Sequence, residues 1–256
     1  MAARLPRRHS PLPFPASHPT STTWGALKAV VFLAVVLTIL LMVVTGLGVL
    51  NTPVSYIDTG GPGRPALFVH GLATSSYLWR HVIEQFEGQR RCVAVDLPLH
   101  GQTPAAADQD FSPPGLAGFV AEFCDTLGLT GIDLVANDTG GAICQAFAAG
   151  HPERLHTLEP LFGTATRARQ NDRILPSLHA RDLLAIEPAL ARLQVPTLIV
   201  WGTGDRFFHR KWAYWLRDTI PGASEVVEID GGRLFFPDER AAELTPLLRR
   251  HWETAP

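Results

Sequence analysis

The chain is short of usable cysteine and of unbalanced charge. Its three cysteines, Cys92, Cys124 and Cys144, are odd in number and far apart. They form neither a disulfide framework nor a CxxC metal motif. Cys92 and Cys144 lie in apolar runs and are expected as small buried hydrophobes. The formal net charge is only −2, without the strongly basic face that nucleic-acid binding needs. No fixed-period repeat is visible, and nothing in the pattern asks for a metal or a cofactor.

Acids are also missing from the first part of the chain. The run AVVFLAVVLTILLMVVTGLGVL, Ala29 to Leu50, has no charge at all, and Arg4, Arg7, Arg8 and Lys28 precede it with no acidic residue. As a helix it would span roughly 30 Å of hydrocarbon. The positive-inside rule then predicts a single-pass membrane anchor, with the N-terminus cytoplasmic and the C-terminal domain on the other side. A cleaved signal peptide is the rival reading, but the run is too long for a typical h-region and no A-x-A-like site follows cleanly. Residues 1–28 read as a disordered basic tail. Residues 51–256 read as one α/β domain, since 46% hydrophobic and 18% charged residues can build a sizeable core.

Within that domain, ALFVHG, RCVAVDLP, IDLVAND, TLIVWGTGD and EVVEIDG are short apolar runs, and helical patterns such as SSYLWRHVIEQF and GLAGFVAEFCDTLGL separate them. Strands buried on both faces and alternating with helices predict a doubly wound, mostly parallel sheet. LHTLEPLFG reads poorly as a strand because Glu159 and Pro160 interrupt it. It suggests a central strand lost together with part of a lid. Trp201, Trp212 and Trp215 are expected in core packing, and FPDERAAELTPLLRRHW as one amphipathic helix against the sheet.

The stretch DLVANDTGGAIC places Asp138 where a strand ends, with Gly140 and Gly141 opening a helix. A strand, a sharp turn bearing a nucleophile, small residues and a helix together make a nucleophile elbow. A simple helix-capping Asp is the plainer alternative. FVHG (Phe68 to Gly71), DLPLHGQT (Asp96 to Thr103) and WGTGD (ending in Asp205) flank that turn in order. Together these motifs resemble the α/β-hydrolase superfamily. HGLATSSYLWR and the elbow Asp narrow the resemblance to the branch that holds haloalkane dehalogenases.

The resemblance implies that Asp138 attacks an electrophilic carbon to form an ester and that Asp205 is the supporting acid. It also implies that the backbone N–H groups of Leu72 and Thr139 form the oxyanion pocket. A His is expected to activate water after the last strand. Here IDGGRLFFPDER puts Leu234 in that place, aligned by Asp238 and Glu239. His70 and His100 lie outside the slot, while His209, close behind Asp205, could reach the pocket mouth. The halide-holding positions carry Thr139 and Leu72, so efficient dehalogenation is not expected. Tyr56, Tyr77 and Tyr214 all lie outside the cap, so the chain lacks the cap tyrosines of an epoxide hydrolase. The cap, about 163–193, is short. Two functions follow: a hydrolase of a small organic substrate with impaired turnover, or a non-catalytic, membrane-tethered protein that binds a small ligand.

Overall fold

The computed structural model describes residues 48–49, 52–162, 174–205 and 209–256. Seven strands form one sheet: β1 (Tyr56–Asp58), β2 (Ala66–Val69), β3 (Cys92–Val95), β4 (Ile132–Asn137), β5 (Leu155–Phe162), β6 (Thr197–Gly202) and β7 (Ala223–Ile229). Their order is β1-β3-β2-β4-β5-β6-β7. β1 runs antiparallel to β3, and every other pairing is parallel. Strands buried on both faces need apolar side chains both ways, and β2, β3, β4 and β6 are buried at every position.

Helices cover both faces. On one side lie α2 (Pro113–Leu127), α3 (Thr139–Gly150), α4 (Ala180–Leu190) and α5 (Lys211–Thr219), packed around Phe119, Phe123, Phe147 and Trp201. On the other lie α1 (Arg80–Glu84), α6 (Phe236–Glu239) and α7 (Ala241–Thr254), around Phe68, Trp79, Phe86 and Trp252. Each such aromatic taken out of water contributes about 1.5–3 kcal/mol. Local signals set the ends of α2. Ser112 accepts the Gly115 N–H at 3.1 Å, prolines open the first turn, and Gly128 closes it at φ +63°.

β5 corrects the expectation of a lost strand. It runs eight residues and pairs with both β4 and β6. Pro160 cannot donate to a ladder, and the β5–β6 pairing accordingly skips from Leu158↔Thr197 to Leu161↔Val200. Glu159 is fully buried, yet Trp252 Nε1 donates to its Oε1 at 3.1 Å.

Three other expectations change. Gly48–Val49, the end of the expected anchor, is extended and pairs antiparallel with Thr52–Pro53, so it is not helical. Residues 29–47 and Leu50 lie outside the described residues, as does the tail, and no described helix is long and apolar enough to cross a membrane. The C-terminal helix is two, broken at Arg240, whose φ is −129°. Trp201 is buried as expected, whereas Trp212 is 48% exposed. Of the expected cap, 163–173 is outside the described residues. α4, the rest, packs beside α3 and α2 as the crossover helix between β5 and β6.

Candidate active site

The site gathers at the carboxyl ends of β2, β4, β6 and β7. Between β4 and α3 sits Asp138, with φ +58° and ψ −129°. A non-glycine residue held there stores about 1–3 kcal/mol of strain. Its side chain makes none of the capping bonds that a helix-start Asp would make, which argues against a simple cap. Two glycines let the turn close. A Cβ on Gly71 would fall 2.5 Å from the Asp138 Cβ, and one on Gly140 would fall 2.5 Å from the His70 carbonyl oxygen.

The Leu72 N–H donates to Asp138 Oδ2 at 3.1 Å and to Thr139 Oγ1 at 2.8 Å. The Thr139 N–H lies beside the same carboxylate and favours its charged form. The two amides expected to form an oxyanion pocket thus meet at the elbow carboxylate. That carboxylate is buried, for Asp138 is 3% exposed. Burial pushes its pKa up to about 7; the Thr139 and Leu72 N–H groups pull the other way, and the negative charge of Asp205 adds to the rise.

Asp205 lies in the turn after β6, which the turn after β7 presses closely. Gly204 N–H donates to the Gly232 carbonyl at 3.0 Å, and a Cβ on Gly202 would come within 2.3 Å of the same oxygen. Leu234 follows in that second turn, 1% exposed, with its carbonyl accepting from Asn137 Nδ2 at 3.2 Å. The structure therefore brings Leu72, Asn137, Asp138, Thr139, Asp205 and the Leu234 turn to one end of the sheet.

The histidines are engaged elsewhere. The Leu97 N–H donates to His70 Nε2 at 3.0 Å, so the ring proton is on Nδ1, which donates to the Gly71 carbonyl at 2.7 Å. Burial, with His100 beside it, lowers the His70 pKa to about 4. His100 repeats the pattern: Ala73 N–H donates to Nε2 at 3.4 Å and Nδ1 faces the Pro98 carbonyl at 3.0 Å. His209 is exposed, and its Nδ1 accepts the N–H of Lys211, the first residue of α5, at 3.1 Å. Sequence reading missed Asp96, which is 3% exposed. It accepts from Ser76 N–H at 2.7 Å and Gln102 N–H at 3.1 Å, tying together the two loops beside the elbow. The DLPLHGQT motif was the signal for it. Among the described residues no cluster of His, Cys, Asp and Glu fits a metal ion.

Residues 65–160 match the sequence pattern of the family described as "alpha/beta hydrolase fold". A haloalkane dehalogenase of Agrobacterium fabrum is 36% identical over 98 residues, 38% of this chain and 32% of that protein. The fold is that of the α/β-hydrolases, and the sequence is similar to the haloalkane dehalogenases among them. A second haloalkane dehalogenase, from Mesorhizobium japonicum, is 35% identical over 107 residues, 42% of this chain and 34% of its own. The chain thus spans about a third of the length of these relatives. In the DbeA-M1 loop variant of a haloalkane dehalogenase from Bradyrhizobium elkanii, the α/β-hydrolase fold superposes with a TM-score of 0.68 at 19% identity. That match covers 82% of this chain and 97% of that one.

Proposed function

We propose that the chain is a hydrolase of α/β-hydrolase type in which Asp138 is alkylated by a small organic electrophile and the resulting ester breaks down slowly. One observation carries the reading: the strained backbone at Asp138, with the Leu72 N–H holding its Oδ2. The other oxygen, Oδ1, is the one that attacks. A C–O bond forms as the leaving group departs with its bonding pair, giving the alkyl ester of Asp138 and, from an alkyl halide, free halide. On hydrolysis the oxyanion would develop within reach of the same N–H groups.

Hydrolysis also needs a water that loses a proton. Leu234 cannot accept one, and the acceptor nitrogens of His70 and His100 already hold backbone N–H groups. Attack should therefore outrun ester breakdown. The sequence match to haloalkane dehalogenases supports the hydrolase class, and the change at Leu234 supports the imbalance.

Intact-mass spectrometry of the full chain with a short alkyl bromide tests this. A single adduct in the parent, none in Asp138→Asn and multiple turnovers in Leu234→His are expected. Absence of both adduct and halide release in the parent removes the reading.

The buried Leu234 also favours a second reading, a non-catalytic binding protein tethered to the membrane by residues 29–50. Steady turnover by the parent chain would rule it out. Extraction of the chain from membranes by alkaline carbonate would remove the anchor, and with it the assignment of the C-terminal domain to the far side of the membrane.

A further inference from the structure

At the end of the sheet opposite Asp138 lies a cleft of about 320 Å³, with Arg64, Arg90 and Arg249 on its wall. Asp133 and Glu253 also face it. Asp133, 1% exposed, is already committed: it accepts from Arg90, from Thr157 Oγ1 at 2.7 Å, and meets His156 Nδ1 at 2.6 Å. The Arg90–Asp133 pair is therefore neutral, and Arg64 and Arg249 remain against the exposed Glu253.

Neither of those two cations has an acidic partner among the described residues. Arg249 bonds only neutral acceptors, the Gln89 side chain and the Gln85 carbonyl, the latter at 3.3 Å. Arg64 is exposed. Arg90, whose side chain is 13% exposed, keeps a buried Nε–H with no acceptor among the described residues. Donors in excess of acceptors around a cavity favour an anion.

The aromatic floor limits the shape of that anion. Trp252 carries the Arg90 guanidinium 4.0 Å from its ring centroid and Phe86 at 4.8 Å, while Arg249 lies 5.0 Å from the Phe86 centroid. With these rings already stacked, a flat aromatic ligand gains little here. A compact tetrahedral oxyanion, whose oxygens several guanidinium forks can share, fits better. We infer that this cleft binds a phosphate group, either free or as the monoester of a small alcohol. The inference does not depend on the chemistry of Asp138. The cleft's Asp133 and the elbow sit at opposite ends of β4, about 17 Å apart at the usual strand rise.

Isothermal titration of the full chain in neutral detergent micelles, at constant ionic strength, tests it. Inorganic phosphate and glycerol 3-phosphate should bind saturably. Arg249→Gln and Arg64→Gln should each weaken binding about tenfold or more. Arg91→Gln, whose guanidinium is held by Asp58 at 2.7 Å and does not line the cleft, should bind as the parent does. Parent-like binding in both cleft variants, or no saturation by about 10 mM, overturns the site. Acetate binding as tightly as phosphate overturns the phosphate assignment. Micelles doped with phosphatidic acid settle the source. If the lipid competes with inorganic phosphate the site reads a headgroup, and if it does not the ligand is soluble.

Discussion

Asp133 and Asp138 stand at opposite ends of the strand β4 and its turn, and both are almost fully buried. Their surroundings differ in kind. Asp133 is held by the Arg90 guanidinium, a histidine and a threonine hydroxyl. Among the described residues Asp138 meets backbone N–H groups alone, and another acid raises its pKa further. A cation next to a buried carboxylate offsets the cost of burying its charge. Dipoles alone leave the charge costly and the oxygen reactive. One end of the strand is built for cohesion; the other is the one proposed for chemistry.

The sharpest way to break that contrast is Asp133→Ala. It strips the counter-charge from an arginine side chain that is 13% exposed. Removing one member of a buried pair should cost about 3–5 kcal/mol, read by urea unfolding. A loss under about 1 kcal/mol would mean that water, not Asp133, balances Arg90.

Asp138→Asn should act in the opposite direction. The ordinary carboxyl value is 3.8 and the folded value is about 7, so the shift is upward. Below pH 4 both states hold the proton and the burial carries no charge penalty. As pH rises towards 7 the unfolded chain ionises first, and stability is lost until the folded group ionises too. The loss at pH 8 is about 4 kcal/mol at most, and the neutral amide escapes it. The variant should therefore match the parent near pH 4 and exceed it at pH 8. In the parent, alkylation should rise with pH to a plateau above 7. A profile flat from pH 5 to 9 would show a carboxylate ionised like any surface acid.

α3 allows the same substitution at its two ends. Gly140→Ala drives a Cβ to 2.5 Å from the His70 carbonyl oxygen, so the elbow must shift, at about 1–3 kcal/mol. At Gly150 a Cβ meets nothing within 4 Å, and Gly150→Ala should stabilise by about 0.4–1 kcal/mol. Equal effects at both ends would mean that the close approach at the elbow is not a constraint.

Much of the elbow was legible because its needs are local. A strand, an acid and two glycines within the ten residues from Ile132 to Gly141 leave few conformations, and the flanking HG and WGTGD turns fix the order of the loops. The alternation of buried strands and helices was legible for the same reason. β5 was not. Pro160 and Glu159 look like strand breakers, and only tertiary structure shows that the ladder skips the proline and that Trp252, 93 residues away, reaches the glutamate. Burial and Asp133 push the Glu159 pKa well above its ordinary value. The cleft opposite the elbow was equally hidden, because Arg64, Arg90 and Arg249 converge from separate segments with no common motif. The histidines were readable as motif members but not as spent ones, since their tautomers are set by Leu97 and Ala73 amides that no pattern announces.

The smallest effect tests how the elbow's dipoles are shared. The Leu72 N–H divides itself between Asp138 Oδ2 and the Thr139 hydroxyl. Thr139→Val removes the competing acceptor and leaves the backbone in place. The stability change should stay within about 1 kcal/mol, since one hydrogen bond is exchanged for a better-aligned one. With the amide turned wholly to the carboxylate, the ionised form gains, and the midpoint of the alkylation profile should move down from about 7. An upward move would mean that the hydroxyl itself donates to the carboxylate, and that Thr139 stabilises the nucleophile rather than competing for its partner.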